Sequence, residues 1–170
     1  MFIRNTIILD DNYTFEKLTN GASMFYGDGY WWCLQKCPKN LSFKNATNLN
    51  SCFSISSVNN ASFSFTFFQT KDIMANLVSA NYMFSNQNNL SSLYPDYESF
   101  SLPKLSTATG MFNKCILDKL SIVKLSNALP DWSNDTAAHN ITIGCHIDHK
   151  YDPEVNVALK KITKFLYNTN

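Results

Sequence analysis

Apolar residues return along the chain in a fixed order. Setting Phe25, Phe53, Phe84 and Phe112 in register aligns Leu18-Thr-Asn-Gly-Ala-Ser-Met-Phe25 with Ala46-Thr-Asn-Leu-Asn-Ser-Cys-Phe53, Leu77-Val-Ser-Ala-Asn-Tyr-Met-Phe84 and Leu105-Ser-Thr-Ala-Thr-Gly-Met-Phe112, with the four anchors 28, 31 and 28 residues apart. The position before each Phe is Met24, Cys52, Met83 or Met111, and four before it stand Gly21, Leu49, Ala80 and Ala108. Seven before it come Leu18, Ala46, Leu77 and Leu105, and ten before it Phe15, Phe43, Met74 and Leu102. Self-similarity on this scale marks units that cannot bury an apolar side alone and do so by stacking on their neighbours.

Within a unit the pattern changes period. Around the position ten before the Phe, apolar and polar residues alternate, as in Tyr13-Thr-Phe15-Glu and Phe100-Ser-Leu102-Pro, which predicts a short strand. From seven before the Phe onward the apolar columns fall three and four apart, which predicts a short helical or turn segment followed by a variable return. The units so defined span 13–40, 41–71, 72–99 and 100–120. A partial fifth unit over 121–138 has Ile122 and Leu125 ten and seven before Trp132, which takes the place of the Phe. Ile141, Ile143, Cys145 and Ile147 alternate with Thr142, Gly144 and His146, predicting a closing strand over 140–148. Asp152-Pro153-Glu154 supplies an N-cap, a proline at the first helical position and an acidic first turn. Val155, Leu159, Ile162 and Leu166 then form one apolar stripe, with Ala158 and Phe165 beside it, predicting an amphipathic capping helix over 153–168. The fold class expected is a single-domain α/β repeat solenoid covering 1–170.

The Leu-x-x-Ala-x-x-Met-Phe units, the run His139-Asn-Ile-Thr-Ile-Gly144 and the Asp-Pro-Glu helix start resemble the BspA-like leucine-rich repeat family, over roughly residues 13 to 166. Two features depart from that family's pattern: Cys52 stands where Met is usual, and the chain ends at Asn170 where related sequences tend to continue into a Gly-Trp strand. The resemblance implies a stack of short parallel strands, of the kind carried by surface proteins of gut and other bacteria, by some parasites and by phage-encoded proteins. It also implies adhesion or protein recognition, and it brings no catalytic residues.

Composition narrows the partners. The chain is 45% hydrophobic and only 16% charged, with thirteen Phe and eight Tyr, the profile of a folded chain long enough for one sizeable core. A formal net charge of +1 with scattered Lys and Arg gives no footprint for nucleic acid or anionic lipid. No apolar stretch approaches the roughly 20 residues of a membrane span, and the apolar run near Met1 is too short for a signal peptide. The expected location is a cell surface, the extracellular space or a virion. Five Cys, at 33, 37, 52, 115 and 145, read as mainly reduced core thiols, with Cys33 and Cys37 the one pair near enough in sequence to suggest a bridge.

Several residues invite a chemical reading. His139, Cys145, His146, Asp148 and His149 are dense in metal-ligand types but lack the paired turn spacing of a zinc site, so they read as a solvated strand end. No Gly-x-Ser-x-Gly elbow is present, Glu16, Glu98 and Glu154 share no motif, and nothing calls for a cofactor, so an enzyme is not expected. Seven Asn-x-Ser/Thr sequons, beginning at Asn12, Asn40, Asn45, Asn60, Asn89, Asn134 and Asn140, are what so Asn-, Ser- and Thr-rich a chain produces by composition. The segment Tyr26-Gly-Asp-Gly-Tyr-Trp-Trp-Cys33 has two readings. Tyr30, Trp31 and Trp32 are aromatics of the kind that anchor protein or glycan ligands, or they cover the open first edge of the stack. The polar positions between buried columns, Thr14, Glu16, Ser42, Lys44, Ser101 and Pro103, form a second candidate surface. The function expected is a non-catalytic module that binds a protein or glycan; the alternative is a structural or spacer part of a larger surface or phage assembly.

Overall fold

The computed structural model describes residues 8–11, 13–27, 42–55, 74–87, 90, 101–132, 141–145, 151–159 and 165–169. In it the four Phe-anchored segments lie side by side and parallel, joined by bridges Asn20 to Asn48, Asn48 to Ser79 and Ser79 to Thr107. The same backbone ladder forms at each junction. In the first three units the N–H groups four and two before the Phe, of the Phe itself and two after it donate to carbonyls of the next unit at 2.8–3.1 Å. In the first unit the donors are Gly21, Ser23, Phe25 and Gly27, and the acceptors are Asn48, Asn50, Cys52 and Ser54.

Because these N–H groups point sideways to a neighbour, they are not available for helical bonds along the chain. The spacing of three and four therefore resolves as successive turns, one of the two forms that the spacing allows. Leu18, Ala46, Leu77 and Leu105 each donate to the carbonyl three residues back, at 2.9–3.1 Å, so a turn occupies the position where a strand was expected. Met24, Cys52 and Met83 close a second turn onto Gly21, Leu49 and Ala80. The third residue of that turn is left-handed in each unit, with φ of 55° at Ser23, 54° at Ser51 and 55° at Tyr82, and 63° at the aligned Gly110. The short polar residues around it, Asn50-Ser51 and Thr109-Gly110 for example, are those that favour such turns.

Stacking the turns carries each apolar column into one file. The rings of Phe25 and Phe53 are 5.5 Å apart, those of Phe53 and Phe84 5.5 Å and nearly parallel, and those of Phe84 and Phe112 5.2 Å. A second pair, Phe15 and Phe43, stacks at 5.4 Å, and Met74 and Leu102 continue that file as buried residues. Ala46, Leu77 and Leu105, Leu49, Ala80 and Ala108, and Cys52, Met83 and Met111 complete the interior. Phe15, Leu18 and Met24 of the first unit are only partly buried against it. Gly21 fits where its neighbours carry side chains because a Cβ there would lie 2.8 Å from Leu49 Cδ2. Gln87, although polar, is buried because its Nε2 donates to the Phe53 carbonyl at 2.6 Å.

The fourth unit runs into β1 (Ala108–Leu117), followed by α1 (Lys119–Ala128), β2 (Ile141–Cys145), α2 (Pro153–Leu159) and β3 (Phe165–Thr169). The three strands form one parallel sheet in the order β1, β2, β3, pairing Ala108 with Ile141 and Ile141 with Phe165. Two expectations change here. Residues 121–128, where a partial fifth unit was expected to begin, belong to α1, capped by Asp118 Oδ1 accepting from Ser121 N at 2.7 Å. Ile122 and Leu125 are buried from this helix, and the rung that follows Phe112 is Ile143 in β2; Trp132 is buried elsewhere in the core. The closing strand is described over Ile141–Cys145, inside the expected 140–148. Of the terminal helix expected over 153–168, Pro153–Leu159 is described as helix, whereas Phe165–Thr169 is a strand. Aromatic and β-branched residues at Phe165, Tyr167 and Thr169 favour a strand, and the outer edge of β2 offers the backbone partners for one.

Asp152 Oδ1 caps α2 by accepting from Glu154 N at 2.9 Å and Val155 N at 3.3 Å. Lys119 Nζ reaches Asp152 at 3.0 Å and Glu154 at 2.7 Å, fastening the start of α1 to the start of α2. Cys52 and Cys115 are buried thiols, and burial pushes the Cys115 thiol well above its ordinary range. Cys33 and Cys37 lie outside the described residues.

Candidate functional site

The turn that closes on the residue seven before the Phe exposes the polar side chains on either side of it. Stacked over four units, these line an open depression of about 740 Å³ bounded by Glu16, Lys17, Thr19, Asn45, Thr47, Asn76, Val78 and Lys104. The lining follows two columns. Eight before the Phe stand Lys17, Asn45, Asn76 and Lys104; six before it stand Thr19, Thr47 and Val78.

Both columns are tied across the units. Asn45 Nδ2 donates to the Glu16 carbonyl at 2.7 Å, and Asn76 Nδ2 does the same to the Lys44 carbonyl at 2.9 Å. Lys104 Nζ then donates to Asn76 Oδ1 at 2.6 Å. In the other column Thr47 presents both its N–H, at 2.8 Å, and its hydroxyl, at 3.1 Å, to the Thr19 carbonyl. Ser106 repeats that pair on the Val78 carbonyl, at 2.9 Å and 3.1 Å. The surface is thus ordered by its own hydrogen bonds before any ligand arrives, which limits the entropy lost on binding. It carries a carboxylate and an ammonium group at its first unit and a second ammonium at its fourth, with amides and hydroxyls between.

The candidates read from the sequence fall out unevenly. Glu16 lines this depression, and Thr14 and Glu16 line a smaller one with Phe15, Lys17 and Leu18 at the first unit. Lys44 is exposed but contributes its carbonyl, not its side chain, to the ladder. Ser42 and Ser101 are half-buried, and the Ser42 carbonyl is taken by Phe15 N at 3.1 Å. Pro103 is exposed beside Lys104. Tyr30, Trp31 and Trp32 lie outside the described residues, as do His139, His146, Asp148 and His149. Among the described residues no group of three or more His, Cys, Asp or Glu is placed to hold a metal ion. No described helix is long and apolar enough to cross a membrane.

Asn76 and Lys104 were not singled out in the sequence, and Asn45 only as the start of a sequon. They recur in register eight before the Phe, and that polar column was the signal.

Known protein families, curated proteins and solved structures were compared with the chain, and none matches.

Proposed function

We propose that the chain is a leucine-rich-repeat-like solenoid, similar to the BspA-like family, that serves as a non-catalytic recognition module for a protein or glycan ligand at a cell or virion surface. The observation that carries this reading is the open depression running across all four units from Glu16 to Lys104. Repeat stacks present such continuous faces to ligands, each unit adding the same few contacts. The near-neutral net charge of +1 favours neither nucleic acid nor anionic lipid as the partner.

The test is binding of the purified chain to immobilised arrays of surface proteins and of glycans, beside the double variant Glu16→Ala, Lys104→Ala. A saturable ligand whose affinity falls at least about tenfold in the variant supports recognition through this face.

A second reading is a spacer or decoration within a larger surface or phage assembly. It is favoured by the fact that Asn45 and Asn76 use their amide groups to hold the stack itself together. A spacer shows no saturable ligand on either array.

A further inference from the structure

Tyr82 occupies a position that the other units give to small residues. Its counterparts two before the Phe are Ser23, Ser51 and Gly110, and all four positions are left-handed. A bulky side chain there is an outlier, and such backbone strain persists where the surrounding structure holds it, commonly at binding sites. Tyr82 is nevertheless 47% exposed. Its ring lies against Gly110, where a Cβ would come within 2.5 Å of Cε1 and 2.6 Å of Cδ1. The absence of a side chain at Gly110 is what seats the ring.

Two carboxamides lie on the same stretch of the stack: Asn81 precedes Tyr82 in the chain, and Asn50 holds the aligned place in the preceding unit. Asn81 Oδ1 accepts from Thr109 N at 2.8 Å. Asn50 Oδ1 accepts from Asn81 N at 2.7 Å and from Ser79 Oγ at 2.7 Å. With the oxygens engaged by the protein, each amide is fixed in orientation and its Nδ2 makes no hydrogen bond among the described residues. Thr109, also exposed, adds a hydroxyl next to Gly110.

We infer that Tyr82, Asn50, Asn81 and Thr109 form a subsite for a neutral sugar ring. A pyranose offers an apolar C–H face to an aromatic ring and a rim of hydroxyls to directional N–H donors, and this group supplies both without a charged side chain. A peptide adding as a strand would need the backbone groups of this rung, and those are taken: Tyr82 N and Phe84 N donate to Thr109 and Met111. The inference deepens the recognition reading but rests on residues apart from the Glu16 to Lys104 face.

The full chain is tested on immobilised neutral tetrasaccharides of glucose, galactose, mannose and N-acetylglucosamine, with calorimetric titration of those that bind. Wild type binds at least one of them saturably. Tyr82→Ser, which restores the residue found at Ser23 and Ser51, and Tyr82→Gly, which suits the left-handed backbone, each weaken that binding at least about tenfold with an unchanged or higher melting temperature. Tyr82→Phe stays within about threefold, and Asn81→Asp, which keeps the oxygen for Thr109 N and removes the donor, weakens binding about tenfold. The Glu16→Ala, Lys104→Ala variant binds these sugars like wild type. The inference is overturned if none of the four sugars binds, or if removing the Tyr82 ring leaves the affinity unchanged. A protein ligand that binds through the Glu16 to Lys104 face in either case leaves the recognition reading standing.

Discussion

Truncating Phe53 tests whether the ring file is a physical unit. Phe53 is fully buried, with Phe25 and Phe84 at 5.5 Å on either side and Phe43 edge-on at 5.9 Å. Phe→Ala at such a site costs roughly 3–5 kcal/mol, and the rings on both sides place Phe53→Ala at the upper end of that range. This is a large share of the 5–15 kcal/mol that holds an ordinary domain together. Phe→Leu keeps most of the buried volume and removes the ring, so it suits a double-mutant cycle. Phe53→Leu and Phe84→Leu should couple by about 0.5–1.5 kcal/mol, the value of one aromatic pair beyond its area. Phe53→Leu and Phe112→Leu, with Phe84 between them, should add within about 0.3–0.5 kcal/mol, because each unit meets only its neighbours. Equilibrium urea unfolding followed by circular dichroism, with the denaturant slope checked for constancy, gives the energy of each of the six variants. Equal coupling of the near and the distant pair, or a Phe53→Ala cost below about 1 kcal/mol, refutes nearest-neighbour stacking.

Three further outcomes are expected. Ser51→Gly, at a φ of 54°, should raise stability by roughly 0.5–1 kcal/mol, whereas Gly110→Ala should lower it by at least about 1–2 kcal/mol, both read from urea midpoints. Asn50→Ala leaves Asn81 N without its acceptor and should cost about 1–3 kcal/mol, while Asn50→Asp, which retains the acceptor, should cost less in the same assay. Hydrogen bonding to Lys119, and then to the N–H groups of Glu154 and Val155, holds the Asp152 carboxyl below its ordinary range, and Glu154 and Asp152 raise Lys119 above its own. The Asp152 contribution is therefore present above the ordinary carboxylate range and lost as pH falls through its lowered folded value. The Lys119 contribution is present below the ordinary ammonium range and lost as pH rises through its raised one. Hydrogen exchange of α2 should quicken at both extremes, and Lys119→Met should remove the alkaline limb and weaken the acid one, which the Glu154 and Val155 N–H groups still support.

The apolar columns were legible because stacking sends each of them to one place: Phe25, Phe53, Phe84 and Phe112 share a file, as do Leu49, Ala80 and Ala108. What the apolar pattern does not carry is the direction of the backbone hydrogen bonds. Steps of three and four residues occur both in a helix and in consecutive turns, and only the sideways use of N–H groups such as Leu49 and Phe53 separates the two. Trp132 reads as an anchor from its spacing to Ile122 and Leu125, yet those two residues lie in a helix capped by Asp118, and the rung after Phe112 is Ile143. The candidate site was less legible, because Asn45 and Asn76 matter through the carbonyls they reach in the preceding unit, a relation visible only once the units are side by side. Glu16 was accessible to reasoning as a polar position between buried columns. Ser42, in an aligned setting, has its carbonyl claimed by Phe15 N, which no local pattern announces.

The interval between Phe53 and Phe84 is three residues longer than its neighbours, yet the rungs on both sides keep the same hydrogen bonds and ring spacing. The length of the connecting path is thus uncoupled from the geometry of what it connects. Insertions and deletions can accumulate between rungs without disturbing the interior, so new surface can be gained by lengthening a connection while the load-carrying register stays fixed.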